Sequence, residues 1–263
     1  MKNRPSAGPD QPGSSLAQSP RYTGAFRISG FFMHITPVAV ARTPFAEKFA
    51  IPRQPQLAPA ARGVIELQPP FNDPLALAGL EQVSHIWLLF IFHEALPADG
   101  EPPRLRVRPP RLGGNDKLGV FATRSTHRPN SIGQSVVKLE RIEGTRLIVS
   151  GIDLLDGTPI IDIKPYVPYA DSLPQASNGI ASAAPGTVTV EWQPQALAAA
   201  HQQGQRLGED VQGLIEQCLA QDPKPAYQQP GPERHYGARF WDINVVWHYP
   251  EAERIRVLEI TAA

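Results

Sequence analysis

The sequence predicts a mainly β protein, a β-barrel domain followed by a small α+β domain. Three observations carry this. Short apolar runs with turn residues between them follow closely from Phe26 to about Asp171, the texture of a sandwich or barrel, and of the two the barrel is preferred. Prolines number 29 in 263 residues, roughly twice the usual share of about 5%. Proline interrupts helix interiors and central strands, so short strands and few long helices follow. Helical spacing is read in one stretch only, near the C-terminus.

Met1 to about Gly24 is rich in Pro, Ser, Gly and Gln with almost nothing to bury, and residues 1–25 read as a disordered tail. Phe31 to Ala41 reads as a strand and Gly63 to Leu67 as a second. His85 to His93 (HIWLLFIFH) is apolar on both faces, so it is expected as a central, doubly buried strand. Leu105 to Arg108, Gly119 to Ala122, Ser135 to Arg141, Leu147 to Ile152 and Thr158 to Ile163 complete a barrel domain over 26–172. SLPQASNGIASAAPG is then a linker or long loop. Thr187 to Trp192 alternates like a strand, and Leu207, Val211, Leu214, Ile215, Cys218 and Leu219 recur at helical spacing up to Asp222-Pro223. Trp241, Ile243, Val245, Trp247 and Tyr249 alternate strictly, and with a turn at Pro250-Glu251 and the run Ile255 to Ile260 they predict a hairpin. These elements form the small domain, 187–263. No internal repeat is found.

Hydrophobic residues at 41% and charged residues at 19% are ordinary for a globular protein. The net charge is +0, so any polyanion site must come from a local cluster. Cys218 is the only cysteine, which excludes an internal disulfide and fits a reducing compartment; its apolar helical setting makes it a buried structural thiol. No run approaches the ~20 apolar residues of a membrane helix, and the first residues have no apolar core of a secretory signal. The cytoplasm is expected.

The densest polar segment is GGNDKLGVFATRSTHRPNSIG, Gly113 to Gly133. Val120 to Ala122 delivers Thr123, Arg124, Ser125, Thr126, His127 and Arg128 together at a strand end, a donor set suited to an anionic or zwitterionic ligand; a hydrogen-bonded surface loop is the plain alternative. In GIDLLDGTPIIDIKPYVPYAD, Asp156-Gly157 is a turn signal, while Asp162 and Lys164 share one strand face, with Tyr166 beyond them. That face is either a solvated edge or a carboxylate and an amine poised around a nucleophile. Arg104, Arg106 and Arg108 alternate, with Arg111 just after, and no acidic residue stands between Glu101 and Asp116. Phosphate contact and a charged edge strand that blocks aggregation are both open.

No G-x-G-x-x-G follows a strand, and there is no P-loop and no G-x-S-x-G elbow. His34, His85, His93 and His127 lack metal-ligand spacing, so no metal is expected.

GVFATRSTHRPNSIG together with GIDLLDGTPIIDIKPYVPYADS closely resembles the TsaA-like proteins, the tRNA adenine-N-methyltransferases also called TrmO. The resemblance extends through TPFAEKFAIPRQPQL, GLEQVSHIWLLFIFH, VRPPRLGGN, LAQDPKPAY and WDINVVWHY, covering nearly everything after about Met33. It implies a β-barrel methyltransferase using S-adenosylmethionine, a homodimer with the cofactor near the subunit interface, and methylation of the exocyclic amine of threonylcarbamoyladenosine, just 3′ of the anticodon in tRNA. It further implies cofactor contacts at Pro55, Gln56, Leu57, His93, Glu94, Arg124, Gln134, Ser150, Gly151, Ile152 and Asp153. The family pattern Arg-Pro-Asn-Pro-Ile-Gly is here interrupted by Ser131, which is expected to loosen the turn.

The implied chemistry assigns catalytic roles to Asp162, Lys164 and Tyr166: the carboxylate holds the N–H of the weakly nucleophilic adenine amine, and Lys164 or Tyr166 steers it or contacts the base. Asp153 and Lys164 remain alternatives for the principal catalytic group. Tyr166 and Tyr169 are candidates for stacking a splayed-out base, and Arg104, Arg106, Arg108, Arg111, Lys224 and Tyr227 for gripping tRNA. Two rivals are a non-catalytic RNA-binding barrel and a hydrolase using Ser125 and His127.

Overall fold

The computed structural model describes residues 24–28, 31–98, 100–108, 117–224 and 228–263, with side chains left out before His34. Two units are distinguished, Met1–Thr36 and Pro37–Ala263. In the first, β1 (Gly24–Ile28) pairs antiparallel with β2 (Phe31–Ile35). The hairpin thus begins inside the residues expected as tail, and the remaining tail residues lie outside the described ones. The single strand expected from Phe31 to Ala41 is two, because Pro37 has no N–H to continue a ladder.

In the second unit the barrel strands are β3 (Ala39–Arg42), β4 (Arg62–Leu67), β5 (His85–Ile91), β8 (Ile132–Glu143), β9 (Arg146–Ser150) and β10 (Pro159–Pro165). They close in the order β10-β3-β4-β9-β8-β5 with every pairing antiparallel. Between β5 and β8, the two-residue strands β6 (Arg106–Val107) and β7 (Leu118–Gly119) form a small ribbon of their own. The barrel interior is filled by Ile65, Ile86, Leu88, Val137, Leu147, Val149 and Ile160, all essentially inaccessible, which is how a small barrel makes a core rather than a pore. Tight packing also dictates Gly133: a Cβ there would lie 2.3 Å from the Phe90 ring.

The β5 expectation needs correction. Ile86, Leu88 and Phe90 are buried inside, but His85, Trp87, Leu89 and Ile91 are only half-buried on the outer wall. A barrel strand has one interior face, so the second apolar face of HIWLLFIFH is left partly open in the single chain.

After a one-turn helix α1 (Pro168–Asp171), the C-terminal part carries β11 (Thr189–Trp192), α2 (Pro194–Leu207), α3 (Val211–Ala220), β12 (His235–Phe240), β13 (Ile243–Glu251) and β14 (Arg254–Ala262). Its sheet runs β11-β14-β13-β12, with β11 parallel to β14. The predicted hairpin is β13–β14, and Trp247 and Tyr249 are wholly buried. The predicted helix is two helices. Gly208, at φ 70°, ends α2, and Asp210 caps α3 by accepting from the Gly213 N–H. Helix α2 escaped notice because it buries only Ala196 and Ala200. Cys218 is buried on α3, and burial pushes its thiol far up. Phe45, in the β3–β4 connection, bridges to Phe240, and the Trp241 N–H donates to the Pro44 carbonyl at 2.7 Å, so this connection is seated on the C-terminal sheet. Among the described residues no helix is long and apolar enough to cross a membrane.

Candidate active site

Neighbouring strands in the barrel order are antiparallel, and successive barrel strands along the chain alternate in direction, so alternate connections share an end. Those after β3, β5 and β9 therefore meet at one mouth, and they carry most of the residues expected to bind the cofactor. The first junction joins Gln56 to Gly151, both with positive φ (69° and 71°). The Gln56 N–H donates to the Gly151 carbonyl at 3.1 Å, and the Gln56 side chain lies where a Cβ at residue 151 would be, 2.7 Å from its Oε1. Next door the Ile152 N–H donates to the Ala61 carbonyl. Helix α3 holds the same connection from behind: Gln217 accepts from the Ala60 N–H at 2.8 Å, and Gln221 reaches the Leu57 carbonyl at 3.5 Å. Pro55 lies in the turn before Gln56, and Ser150 ends β9 with its hydroxyl donating to Glu140 at 2.6 Å.

Asp153 is the unusual group at this mouth. Its Oδ1 is buried without a hydrogen-bond partner, and burial pushes its carboxyl up to about 6, against the opposing pull of the Ser135 hydroxyl, its own backbone N–H and the Arg124 charge. Arg124 arrives from the connection after β5 and donates to the Gln54 side chain at 2.5 Å. The turn before it is fixed by the Thr123 hydroxyl donating to the Val120 carbonyl at 2.9 Å and Arg128 to the Thr123 carbonyl at 2.8 Å. His93 and Glu94 form a short 3-10 turn at the end of β5. Lys48 binds both the Glu94 carboxylate, at 3.1 Å, and its carbonyl, at 2.7 Å. Burial holds the His93 imidazole below its ordinary value, with Glu94 opposing. Asp156 lies in the turn that its Asp-Gly context predicts, and its carboxylate accepts from the Thr43 N–H at 2.9 Å, tying this turn to the connection after β3.

Not all the expected residues gather here. Gln134 is on the outer wall of β8, in one cross-strand row with Leu89 and Asp162. Two strand spacings put Gln134 and Asp162 about 10 Å apart. Asp162 and Lys164 form an ion pair at 2.6 Å, both substantially exposed. Tyr166 lies further from the mouth, its ring 5.7 Å from that of Trp87, and Tyr169 is 92% exposed on α1 at that far end. The candidates therefore divide into a mouth group around Asp153 and an outer-wall row around Asp162.

The basic patch is not the continuous strand face expected, since β6 contains only Arg106 and Val107. Arg104 pairs with Glu101 at 3.1 Å, Arg106 donates to the Lys117 carbonyl at 2.7 Å, and Arg108 is exposed. Lys224 is nearly buried, paired with Asp222 at 2.6 Å and lying 5.0 Å over the Tyr249 ring, which ties it to the C-terminal core instead of leaving it open to phosphate. Arg111 and Tyr227 lie outside the described residues. Ser125 accepts the His127 backbone N–H at 3.2 Å, so its hydroxyl caps a turn, and among the described residues no bond joins it to the His127 ring as a hydrolase would need. Sequence reading missed Lys48, Gln54 and Ser135 as contributors; the first two lie inside KFAIPRQPQL and were legible there.

The donor set suits S-adenosylmethionine. A buried carboxylate oxygen without a partner, at a mouth that also carries the Arg124 guanidinium, matches the ammonium and carboxylate of the ligand's amino-acid end, and no dinucleotide loop is required. The fold and mouth thus define a β-barrel enzyme of non-Rossmann type that takes a small zwitterionic ligand. Residues 40–172 match the model of the tRNA-methyltransferase O N-terminal domain, and residues 185–263 match that of the TrmO C-terminal domain. The chain is 43% identical over 226 residues to the tRNA (adenine(37)-N6)-methyltransferase of Escherichia coli K12, covering 82% of this chain and 92% of that one. It is 51% identical over 156 residues to the enzyme of the same name from Eikenella corrodens, covering 58% and 83%. A crystal structure of TrmO from Pseudomonas aeruginosa superposes with a TM-score of 0.75 at 57% identity, covering 87% of this chain and 97% of that one. The chain belongs to the tRNA-methyltransferase O family, S-adenosylmethionine-dependent tRNA (adenine-N6)-methyltransferases.

Proposed function

We propose that this enzyme methylates the exocyclic amine of threonylcarbamoyladenosine, the base 3′ of the anticodon. The observation that carries the reading is the unpartnered Asp153 oxygen at a mouth that also holds Arg124. Asp153 and Arg124 take the two charged ends of the cofactor's amino acid, and Gln56 to Leu57 with Ser150 to Ile152 form the walls of its pocket. Pro55, His93 and Glu94 complete it, and Gln134, on the outer wall, joins it from a second copy. When bound, S-adenosylmethionine supplies a methyl group on a sulfonium. The residues hold donor and acceptor in line, an arrangement worth up to ~7–11 kcal/mol in ideal cases. Asp162 accepts an N–H of the adenine amine and orients its lone pair, and Lys164, ion-paired to it at 2.6 Å, fixes the carboxylate. Tyr166 orders the same wall through Trp87.

A homodimer accounts for the division between mouth and wall. The half-buried Trp87, Leu89, Ile91 and Val136 would meet a second copy and bring its outer row toward the first copy's mouth. Arg104, Arg106 and Arg108 then contact tRNA phosphates, joined by Arg111 and Tyr227. We further read 26–172 and 187–263 as the two domains and the cytoplasm as the compartment, where tRNA is found.

The test is transfer of labelled methyl from S-adenosylmethionine to tRNA from cells lacking this gene, with nucleoside mass spectrometry. One methyl added to threonylcarbamoyladenosine, and none by Arg124→Ala, is expected. Methylation of unmodified adenosine instead would overturn the substrate, and absent cofactor binding would leave a non-catalytic RNA-binding barrel.

A further inference from the structure

Phe121 is 78% exposed, a large apolar side chain with no core to join. It is nevertheless held on ordered backbone. It sits at the centre of the 3-10 turn Val120–Ala122, whose first residue, Val120, is 1% exposed and anchors the turn. The Val120 N–H donates to the Leu105 carbonyl at 2.9 Å, and both the Thr123 N–H and the Thr123 hydroxyl close the turn onto the Val120 carbonyl. Leu105, the residue so joined, is itself 66% exposed. The turn thus forms a pedestal under two apolar side chains, and among the described residues nothing covers either.

The surroundings say what would cover them. Phe121 precedes Arg124 by three positions, a reach of at most about 10 Å, so it stands at the rim of the mouth. Arg104, ion-paired to Glu101 at 3.1 Å, flanks Leu105 in sequence, and Arg124 and Lys48, the latter ion-paired to Glu94 at 3.1 Å, belong to the connections that meet at this mouth. An exposed aromatic ring among cations is the combination that binds single-stranded nucleic acid, the ring taking a base face and the cations the backbone. Tyr166 and Tyr169, the stacking candidates from sequence, do not share this setting: the first packs on Trp87 and the second stands at the opposite end of the barrel.

We propose that Phe121 is the stacking platform for an unpaired base of the substrate RNA loop, with Leu105 extending its apolar surface. The inference rests on the reading that the substrate is a tRNA loop, and it assigns the residue that positions it.

The test uses the full chain and an end-labelled anticodon stem-loop RNA, with affinity read by fluorescence anisotropy over a range of salt. Phe121→Ala is expected to weaken RNA binding about five- to hundredfold while leaving the slope of log affinity against log salt unchanged, because no phosphate contact is lost. Phe121→Trp should bind as the parent does, and Phe121→Leu as weakly as Phe121→Ala. In methyl transfer the loss should appear in KM for tRNA, with S-adenosylmethionine affinity by calorimetry unaltered. Parent-like RNA affinity in Phe121→Ala, or full rescue by leucine, would overturn the platform. So would no RNA binding by the parent protein, or a change in sedimentation of Phe121→Ala, which would give this surface to a second copy. RNA binding that depends on Phe121 without methyl transfer would sink the proposed reaction and leave the platform standing.

Discussion

The N–H of Gln56 donates to the carbonyl of Gly151 at 3.1 Å, and both residues hold a left-handed backbone, at φ 69° and 71°. This bond is one of several that join the connections after β3 and β9, and Gly151 stands two residues before Asp153 and its buried carboxylate. Gly151→Ala strains the backbone by about 1–2 kcal/mol and forces the Gln56 side chain aside. The expected outcome is a melting temperature lower by a few degrees and S-adenosylmethionine affinity reduced at least severalfold by calorimetry. Unchanged affinity would show that the pocket does not use this junction.

Asp153 gives a pH prediction with a definite sign. Its folded-state value, about 6, lies above the ~3.9 of an unfolded aspartate. The folded protein therefore holds this proton more tightly, so the contribution is fully present below about pH 4 and is lost as pH rises through 6. The gap amounts to about 3 kcal/mol. Asp153→Asn should accordingly be more stable than the parent at pH 8 and lack this part of the pH dependence in denaturant titrations. Cofactor binding should run the other way. A ligand ammonium favours the carboxylate, so affinity is expected to rise from pH 5 to pH 7.5 in the parent and to be weak and flat in Asp153→Asn.

Local patterns in the chain predicted local structure well and long-range partnerships poorly. Alternation identified Ile243 to Tyr249 because a half-buried strand imposes period two, and the long motifs named the residues of the mouth. Helix α2 was invisible because an alanine stripe carries little hydrophobic contrast, and β12 because exposed His235 and Arg239 surround its Gly237. Whether a polar residue faces the mouth or the outer wall depends on strand register, which is why Gln134 and Asp153 looked alike in sequence yet lie on different faces. Lys224 likewise looked like an RNA contact because its partner, Tyr249, is 25 positions away on another element.

The outer-wall row leads to a separation of binding from chemistry. Asp162 and Lys164 are solvent-accessible and paired only at the surface, where such pairs contribute little to stability, about 0–1 kcal/mol. Asp162→Ala should thus melt within about 2 °C of the parent and bind S-adenosylmethionine normally, yet transfer no methyl. Retained transfer would remove Asp162 from the catalytic role and shift it to Asp153.

Ser131 holds its turn in a conformation that proline could not adopt. It holds φ 51°, is 1% exposed, donates its N–H to the Arg128 carbonyl at 3.1 Å and accepts the Phe92 N–H at 2.8 Å. Proline is fixed near φ −65° and has no N–H, so the family's Arg-Pro-Asn-Pro-Ile-Gly pattern requires a different backbone turn from the one seen here. Ser131→Pro is therefore expected to destabilise this chain by more than about 1 kcal/mol, although it restores the family residue. Ser131→Gly should do the opposite, because glycine accepts a positive φ without strain and removes a hydroxyl that is buried without a partner. Thermal melts of the two variants decide the matter: a proline variant as stable as the parent would mean that the turn at Arg128 to Ser131 can switch to the family's conformation at negligible cost.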